Sequence, residues 1–336
     1  VIVQAISARA ESPVMVTDQV YGRRNVSSLT SVRSGESHRV DGGLMAVPNC
    51  SEGRDPGRIA RLVDSTRVPG VRVLDVHSDA DHDRTVITLA GSGPALVQAG
   101  VSLAVACRDL IDLRAHGGVH PRVGALDVLP FVAMRPADLP DAIRAADDAA
   151  WRIGTEVGIP CVRYGEGAAH GRERPARLRA AGPGALADRM ARGEVVPAAG
   201  PPAPHPSAGV TLVGAREPLI AWNMWLPGAT EEQVREVAAA VREGGAGGGL
   251  PSVRALGLMC ARTGLAQVSM NVEDYRRTPP LAVVRRVRQE AAARGLVPGA
   301  SELVGLIPRA ALGGASPQEL GLPVLRPEQV IETTED

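Results

Sequence analysis

The chain has 336 residues, 44% of them hydrophobic and 22% charged, enough apolar content to bury the cores of two domains or of one duplicated domain. Lys plus Arg and Asp plus Glu each number 37, so no cationic excess points to nucleic acid or to an anionic membrane surface, and an anionic ligand has to be met by local arginines. The four cysteines are scattered without a CxxC pair, which offers neither a zinc knuckle nor a disulfide framework and fits a reducing cytoplasm; no apolar run reaches the ~18 residues of a membrane span.

Residues 1–44, rich in Ser, Arg and Val, carry neither a signal-peptide apolar region nor a helical or strand period, and are expected to be a disordered extension or a misplaced start ahead of Met45. From residue 46 the pattern predicts a strand at 46–49, a helix at 56–64, strands at 71–76 and 85–90, a long helix at 94–111 and a strand at 125–132. This β-α-β-β-α-β order is the unit of ferredoxin-like folds. An amphipathic helix at 139–157 and a strand at 161–164 extend it.

The same order returns as a strand at 218–226, a helix at 231–242, strands at 253–260 and 267–272, a helix at 281–294 and a strand at 302–307. Between the halves, two Pro/Gly/Ala-rich stretches, 180–184 and 196–209, read as a linker or binding loop rather than as elements. The fold class expected is α+β, two ferredoxin-like subdomains enclosing a cleft, divided as 45–207 and 208–314 with a tail at 315–336.

The densest chemistry lies in AHGGVHPRVGALDVLPF, where a helix passes to a strand through two His, an Arg and an Asp. Gly117 and Gly118 are expected to turn the backbone with positive φ, while Pro121 biases His120 toward extended geometry. A ring so held suits a general acid/base near neutral pH. The plainer alternative is that His116 merely caps a helix C-terminus and His120 is an ordinary loop residue.

In HSDADHDRT, His77, Asp79, Asp81, His82, Asp83 and Arg84 fall between two strands, as ligand contacts or as solvated turn formers. The His116/His120 HxxxH lies in a loop and lacks an HExxH glutamate, so no metal site is expected. In VPNCSEGRDPGR, the turn after Asn49 offers backbone amides to an anion, or Ser51 or Asp55 simply caps the next helix.

Together the stretches VPNCSEGR, DHDRTVITLAG, IDLRAHGGVHPRVGALDVLPF, GPPAPHPSAG, GAREPLIAWNMWL, AQVSMN and SELVGLIP resemble the formimidoyltransferase family, in the family's order and across most of residues 45–312. The resemblance implies two ferredoxin-like subdomains around a folate cleft, a catalytic histidine at His120, and a cytoplasmic homodimer. It also implies formimidoyl transfer from N-formimidoyl-L-glutamate to N5 of tetrahydrofolate, a co-substrate. Folate would lie against the loop formed by Gly200, Pro201, Pro202, Ala203, Pro204, His205, Pro206, Ser207, Ala208 and Gly209.

Arg84, Arg122 and Arg216 are the candidates for pairing with substrate carboxylates, and Asn49 and Asn223 join them as substrate contacts. His77 stands where the animal enzymes carry an assisting Asp and is the second catalytic candidate; Cys50, Asp83 and Val119 replace an aromatic, an Asn and a Glu. The stretch 178–200 also lacks the family's Tyr/Glu-rich and Asp/Phe-bearing segments. The competing readings are a relative using another formimidoyl or formyl donor, a non-catalytic folate-binding protein, and a metal-dependent hydrolase.

Overall fold

A computed structural model describes residues 23–25, 37–40, 43–168 and 174–332. The first half is one mixed sheet. Its central strand comes in two pieces, β3 (Leu44–Ala46) and β4 (Asn49–Cys50), because Pro48 has no N–H to give to the ladder. Helix α1 (Pro56–Ser65) follows, capped by Asp55, whose side chain accepts from the Gly57 and Arg58 amides. Then come β5 (Val71–Asp79), β6 (Arg84–Gly91), α2 (Gly93–Leu110) and β7 (Leu126–Ala133). The spatial order β5-β6-β3/β4-β7 is antiparallel and ferredoxin-like. Helix α3 (Leu139–Arg152) leads to β8 (Cys161–Gly165), and β9 (Thr211–Arg216) lies parallel between β7 and β8.

The second half repeats the plan with β10 (Ile220–Leu226), α5 (Glu231–Val241), β11 (Val253–Cys260), β12 (Leu265–Val272), α6 (Pro280–Ala292) and β13 (Ser301–Val304), in the order β11-β12-β10-β13. Thr230 and Gln233 form a reciprocal cap at the start of α5. Val234, Val237, Ala238 and Val241 then bury one stripe of that helix at the spacing of a single face.

The two faces of the first sheet have different duties. Along β6, Ile87 and Leu89 join the helix-covered core, whereas Arg84 and Ala90, on the opposite parity, turn away from it. That second face is apolar at one end, where Met45, Leu74, Ala90, Val132 and Met134 pack with Leu306 and Ile331. At its other end Arg84 donates to both Asn49 and Asp127.

Several expectations change. Residues 180–184 are not linker: α4 (Gly182–Ala191) starts there with a proline in its first turn and buries Leu186 and Met190. β9 was not foreseen, and it extends the first sheet beyond residue 207 to Arg216. The helix expected at 139–157 leaves regular α geometry after Arg152, passing through a wider turn that Gly158 ends at φ 77°. The strand expected at 302–307 ends at Val304, and β14 (Ile307–Pro308) belongs to another sheet.

The leader expected to be disordered contributes β1 (Arg23–Asn25), paired with β5, and β2 (His38–Arg39), paired with β15 (Val330–Glu332) from the expected tail. Val40 is buried in the apolar cluster shared with Leu306 and Ile331, and Leu44 in the helix-covered core of the first half, so these residues are part of the fold; residues 1–22, 26–36 and 41–42 lie outside the described set. Among the described residues, no helix is long and apolar enough to cross a membrane.

Candidate active site

Three loops meet at the polar end of the open sheet face: the turn after β4, the β5–β6 hairpin, and the long connection from α2 to β7. Asp83 ties them together from a positive φ of 50°. Its Oδ1 accepts from the Gly53 amide at 2.9 Å and its Oδ2 lies 3.3 Å from Arg54, while its carbonyl accepts from His116 Nε2 at 3.0 Å. With Nε2 donating, His116 Nδ1 is free to accept from the Gly118 amide at 3.2 Å. His116 is therefore a brace, and burial followed by the nearby Arg122 charge holds its pKa below the usual imidazole value.

Gly117 and Gly118 do not adopt positive φ. Gly118 is needed for close approach instead, since a Cβ there would overlap the His82 carbonyl and stand 2.6 Å from the Asp83 Cβ. The Val119 amide bonds the Asp81 carbonyl at 3.1 Å, which fastens the His120 loop along the hairpin.

His120 is thereby laid on His82, with ring centroids 5.7 Å apart and planes 30° from parallel. Its Nδ1 is buried and has no hydrogen-bond partner among the described residues. Burial first, then the charges of Arg84, Arg179 and His82, hold its pKa well below 6.5, so the ring is neutral at pH 7. Arg84 donates through Nε to Asn49 at 3.0 Å and through Nη1 to Asp127 Oδ2 at 2.8 Å. Arg179 donates to that same Oδ2 at 2.6 Å, and Asp127 Oδ1 accepts from the Val123 amide at 2.8 Å. Asp127 is fully buried; burial pushes its carboxyl up, but Arg179 and Arg84 outweigh this and hold it below its ordinary value.

The second half reaches into this cluster. Gln267 on β12 pairs through Oε1 with His82 Nε2 at 2.9 Å, leaving its Nε2 buried without a partner among the described residues. Glu302 on β13 lies 3.3 Å from His77 Nε2, and its other oxygen accepts from Asn223 at 3.3 Å. Asp81 accepts the Arg262 amide at 2.7 Å. His77 and Asn223 thus meet at the boundary between the halves.

Arg122 turns back on its own loop, bonding the carbonyls of Gly118 and His120. Arg216 is half-buried at the end of β9, bonds the Glu217 carbonyl at 3.0 Å and sits against Tyr164. The 200–209 loop closes on itself through reciprocal His205 and Gly209 backbone bonds at 2.9 Å. It grips both ends of the His120 connection, Ser207 accepting from the Leu113 amide and Ala208 from the Ala125 amide. Among the described residues, no group of three or more His, Cys, Asp or Glu is arranged to hold a metal ion.

Sequence reasoning missed Asp127, Arg179, Gln267 and Glu302 as members of the cluster. Asp127 had a signal, an acid inside the apolar run ALDVLPF; Arg179 had none, because its partner is 52 positions away.

The model of the formiminotransferase domain's N-terminal subdomain matches residues 43–216, and that of the formiminotransferase domain matches 221–317. The chain is 37% identical over 277 residues to the glutamate formimidoyltransferase of Thermoplasma acidophilum, covering 79% of this chain and 88% of that one. It is 34% identical over 268 residues to the glutamate formimidoyltransferase of Streptococcus pyogenes serotype M1, covering 79% and 89%. To the formimidoyltransferase-cyclodeaminase of Sus scrofa it is 39% identical over 274 residues, covering 79% of this chain and 50% of that protein. With matches that span both halves and meet at the passage from β9 to β10, this chain belongs to the formiminotransferase-domain family.

Proposed function

We propose that the protein transfers the formimidoyl group of N-formimidoyl-L-glutamate to N5 of tetrahydrofolate, giving 5-formimidoyltetrahydrofolate and L-glutamate, with His120 as the proton carrier. N5 attacks the formimidoyl carbon and a new C–N bond forms. His120 takes the proton from N5 in the tetrahedral intermediate and hands it to the glutamate nitrogen as the old C–N bond breaks. One histidine serves both transfers, a contribution of roughly 10²- to 10⁴-fold.

A single observation carries this reading: an imidazole whose Nδ1 is buried and unpartnered among the described residues, beside two guanidinium groups that, with burial, hold its pKa well below the usual value. A buried nitrogen in that condition calls for a partner, and a bound substrate would supply one. The guanidinium field keeps the free ring deprotonated and ready to act as a base. A substrate carboxylate entering beside those arginines weakens that field and raises the ring's proton affinity when it has to hold the proton.

In this reading the folate ring lies between the halves, against the 200–209 loop, whose internal bonds limit the ordering cost of binding. Gln267 Nε2, without a partner among the described residues, is suited to a carbonyl or ring nitrogen of the heterocycle. His77, backed by Glu302, is assigned the assisting role, because a carboxylate behind the ring stabilises its charged form. The enzyme is further proposed to work as a homodimer in the cytoplasm, where a reducing medium suits its four free, buried cysteines.

The test is a single-turnover measurement with saturating tetrahydrofolate and N-formimidoyl-L-glutamate. His120→Ala is expected to lose about 10²- to 10⁴-fold in rate while folding and binding tetrahydrofolate as before. Wild-type-like transfer by that variant would remove His120 from the chemistry.

A further inference from the structure

Arg179 lies at the end of the one-turn helix Pro175–Leu178, in the segment between the halves, and no motif marks it. Its guanidinium and that of Arg84 converge on one oxygen of Asp127, at 2.6 and 2.8 Å. Their side chains are 12% and 10% exposed, and that of Asp127 is 0% exposed. Two buried positive charges are thus set against one negative charge. Among the described residues, Asp127 is the carboxylate with which both form an ion pair. The remaining lone-pair capacity of Asp127 is directed to the Val123 amide.

A surplus buried charge is costly unless something completes it. Arg179 Nε is buried and has no partner among the described residues, so the cluster has a spare donor as well as a spare charge. Its field falls on the His120 ring. The other arginines expected to hold substrate have different employment, Arg122 on the carbonyls of its own loop and Arg216 on the Glu217 carbonyl.

We infer that Arg179, together with Arg84, binds the α-carboxylate of the donor amino acid, and is a substrate-binding and specificity residue of this site. The inference rests on the transfer reading above for the identity of the donor. The leaving nitrogen and the α-carboxylate are attached to the same carbon. A guanidinium beside the ring that protonates that nitrogen therefore meets the α-carboxylate and not the γ-carboxylate two methylenes away. Asp127 gathers the two arginines on one oxygen, and the substrate carboxylate supplies the missing negative charge.

The experiment compares kcat/KM for N-formimidoyl-L-glutamate with that for its α-carboxamide and its γ-carboxamide, in wild type, Arg179→Met and Arg179→Lys. Wild type is expected to discriminate against the α-carboxamide, and Arg179→Met to lose that discrimination by roughly 10- to 100-fold, the usual worth of a charge-assisted bond. Arg179→Lys should recover part of it, since charge returns without the planar fork. A role confined to holding Asp127 in place would lower all three donors equally and leave the ratios unchanged, which would overturn the inference. Loss of discrimination against the γ-carboxamide alone would also overturn it.

Binding of tetrahydrofolate within about twofold of wild type confirms that the variants fold, since the arginine is not assigned to that ligand. Should wild type transfer from no formimidoyl donor, the transfer reading fails by itself. L-glutamate titrated onto wild type and Arg179→Met, followed through histidine ring NMR signals, then decides the anion site: weakening of tenfold or more supports it, and equal binding overturns it.

Discussion

Asp127→Asn is close to isosteric and keeps an oxygen for the Val123 amide, so it isolates the charge that holds Arg84 and Arg179. The loss leaves two buried guanidinium groups facing a neutral amide that can turn its own N–H groups toward them. Breaking a buried pair from one side costs about 3–5 kcal/mol. For a cooperative unit the size of the first half, that is a fall in Tm of roughly 6–20 °C, at roughly 2–4 °C per kcal/mol.

The assay is thermal and urea unfolding across pH. The native carboxyl is held below its ordinary value of 3.8, so the difference between wild type and variant is full above that value. It shrinks as pH falls through the lower native pKa. A control replaces the whole network with apolar groups, Arg84→Met, Asp127→Leu and Arg179→Met together, and is expected to recover most of the stability with none of the activity. A Tm within about 2 °C of wild type at neutral pH, or a difference that grows on acidification, would refute the account of Asp127 as the anchor of a buried charge cluster.

Because burial, Arg84, Arg179 and His82 depress the His120 pKa, the acid limb of kcat/KM is expected below pH 6.5 rather than at it, read from rates between pH 4.5 and 8 at fixed ionic strength. The same ring weakens the fold as pH drops from 6.5 toward its native pKa, because only the unfolded chain takes up the proton in that window. A limb at or above 6.5 would contradict it. Truncation to Met45, harmless if the leader were a loose extension, is expected to destabilise the protein by several kcal/mol. It removes the β2–β15 pairing together with buried Val40 and Leu44, each worth up to about 1.5–3 kcal/mol. An unchanged urea midpoint would show that these residues do not belong to the core.

What could be read in advance followed the range over which each constraint acts. The strand at 253–260 was placed to the residue, and α1 and α5 to within one, because alternation and helical stripes are written locally. That a histidine sits at 120 in a constrained loop between helix and strand was legible for the same reason: its histidine, proline and glycines are neighbours in sequence. The glycines were assigned the wrong duty, because close approach to His82 and Asp83 involves a hairpin more than thirty residues upstream. β2 spans two residues and β1 three, too short to display any period, so the leader looked structureless. Arg179, Gln267 and Glu302 reach the site across the tertiary fold, and periodicity says nothing about which loop or strand will face another. α4 was hidden behind Gly182, Pro183 and Gly184, residues that usually punctuate loops but here open a helix.

The open face of the first sheet changes character along its length, and this determines how the molecule comes apart. The seam of Met45, Leu74, Ala90 and Val132 against Leu306 and Ile331 behaves as the spine of a bound book. Prising it open would put hydrocarbon into water, with nothing to offset the cost. The fore-edge is held by His82 to Gln267, His77 to Glu302 and Asp81 to the Arg262 amide, bonds that water or a polar ligand can replace nearly in kind. The covers therefore part most cheaply at the edge where His120 stands, and a ligand that offers the same donors and acceptors turns the page without loosening the binding.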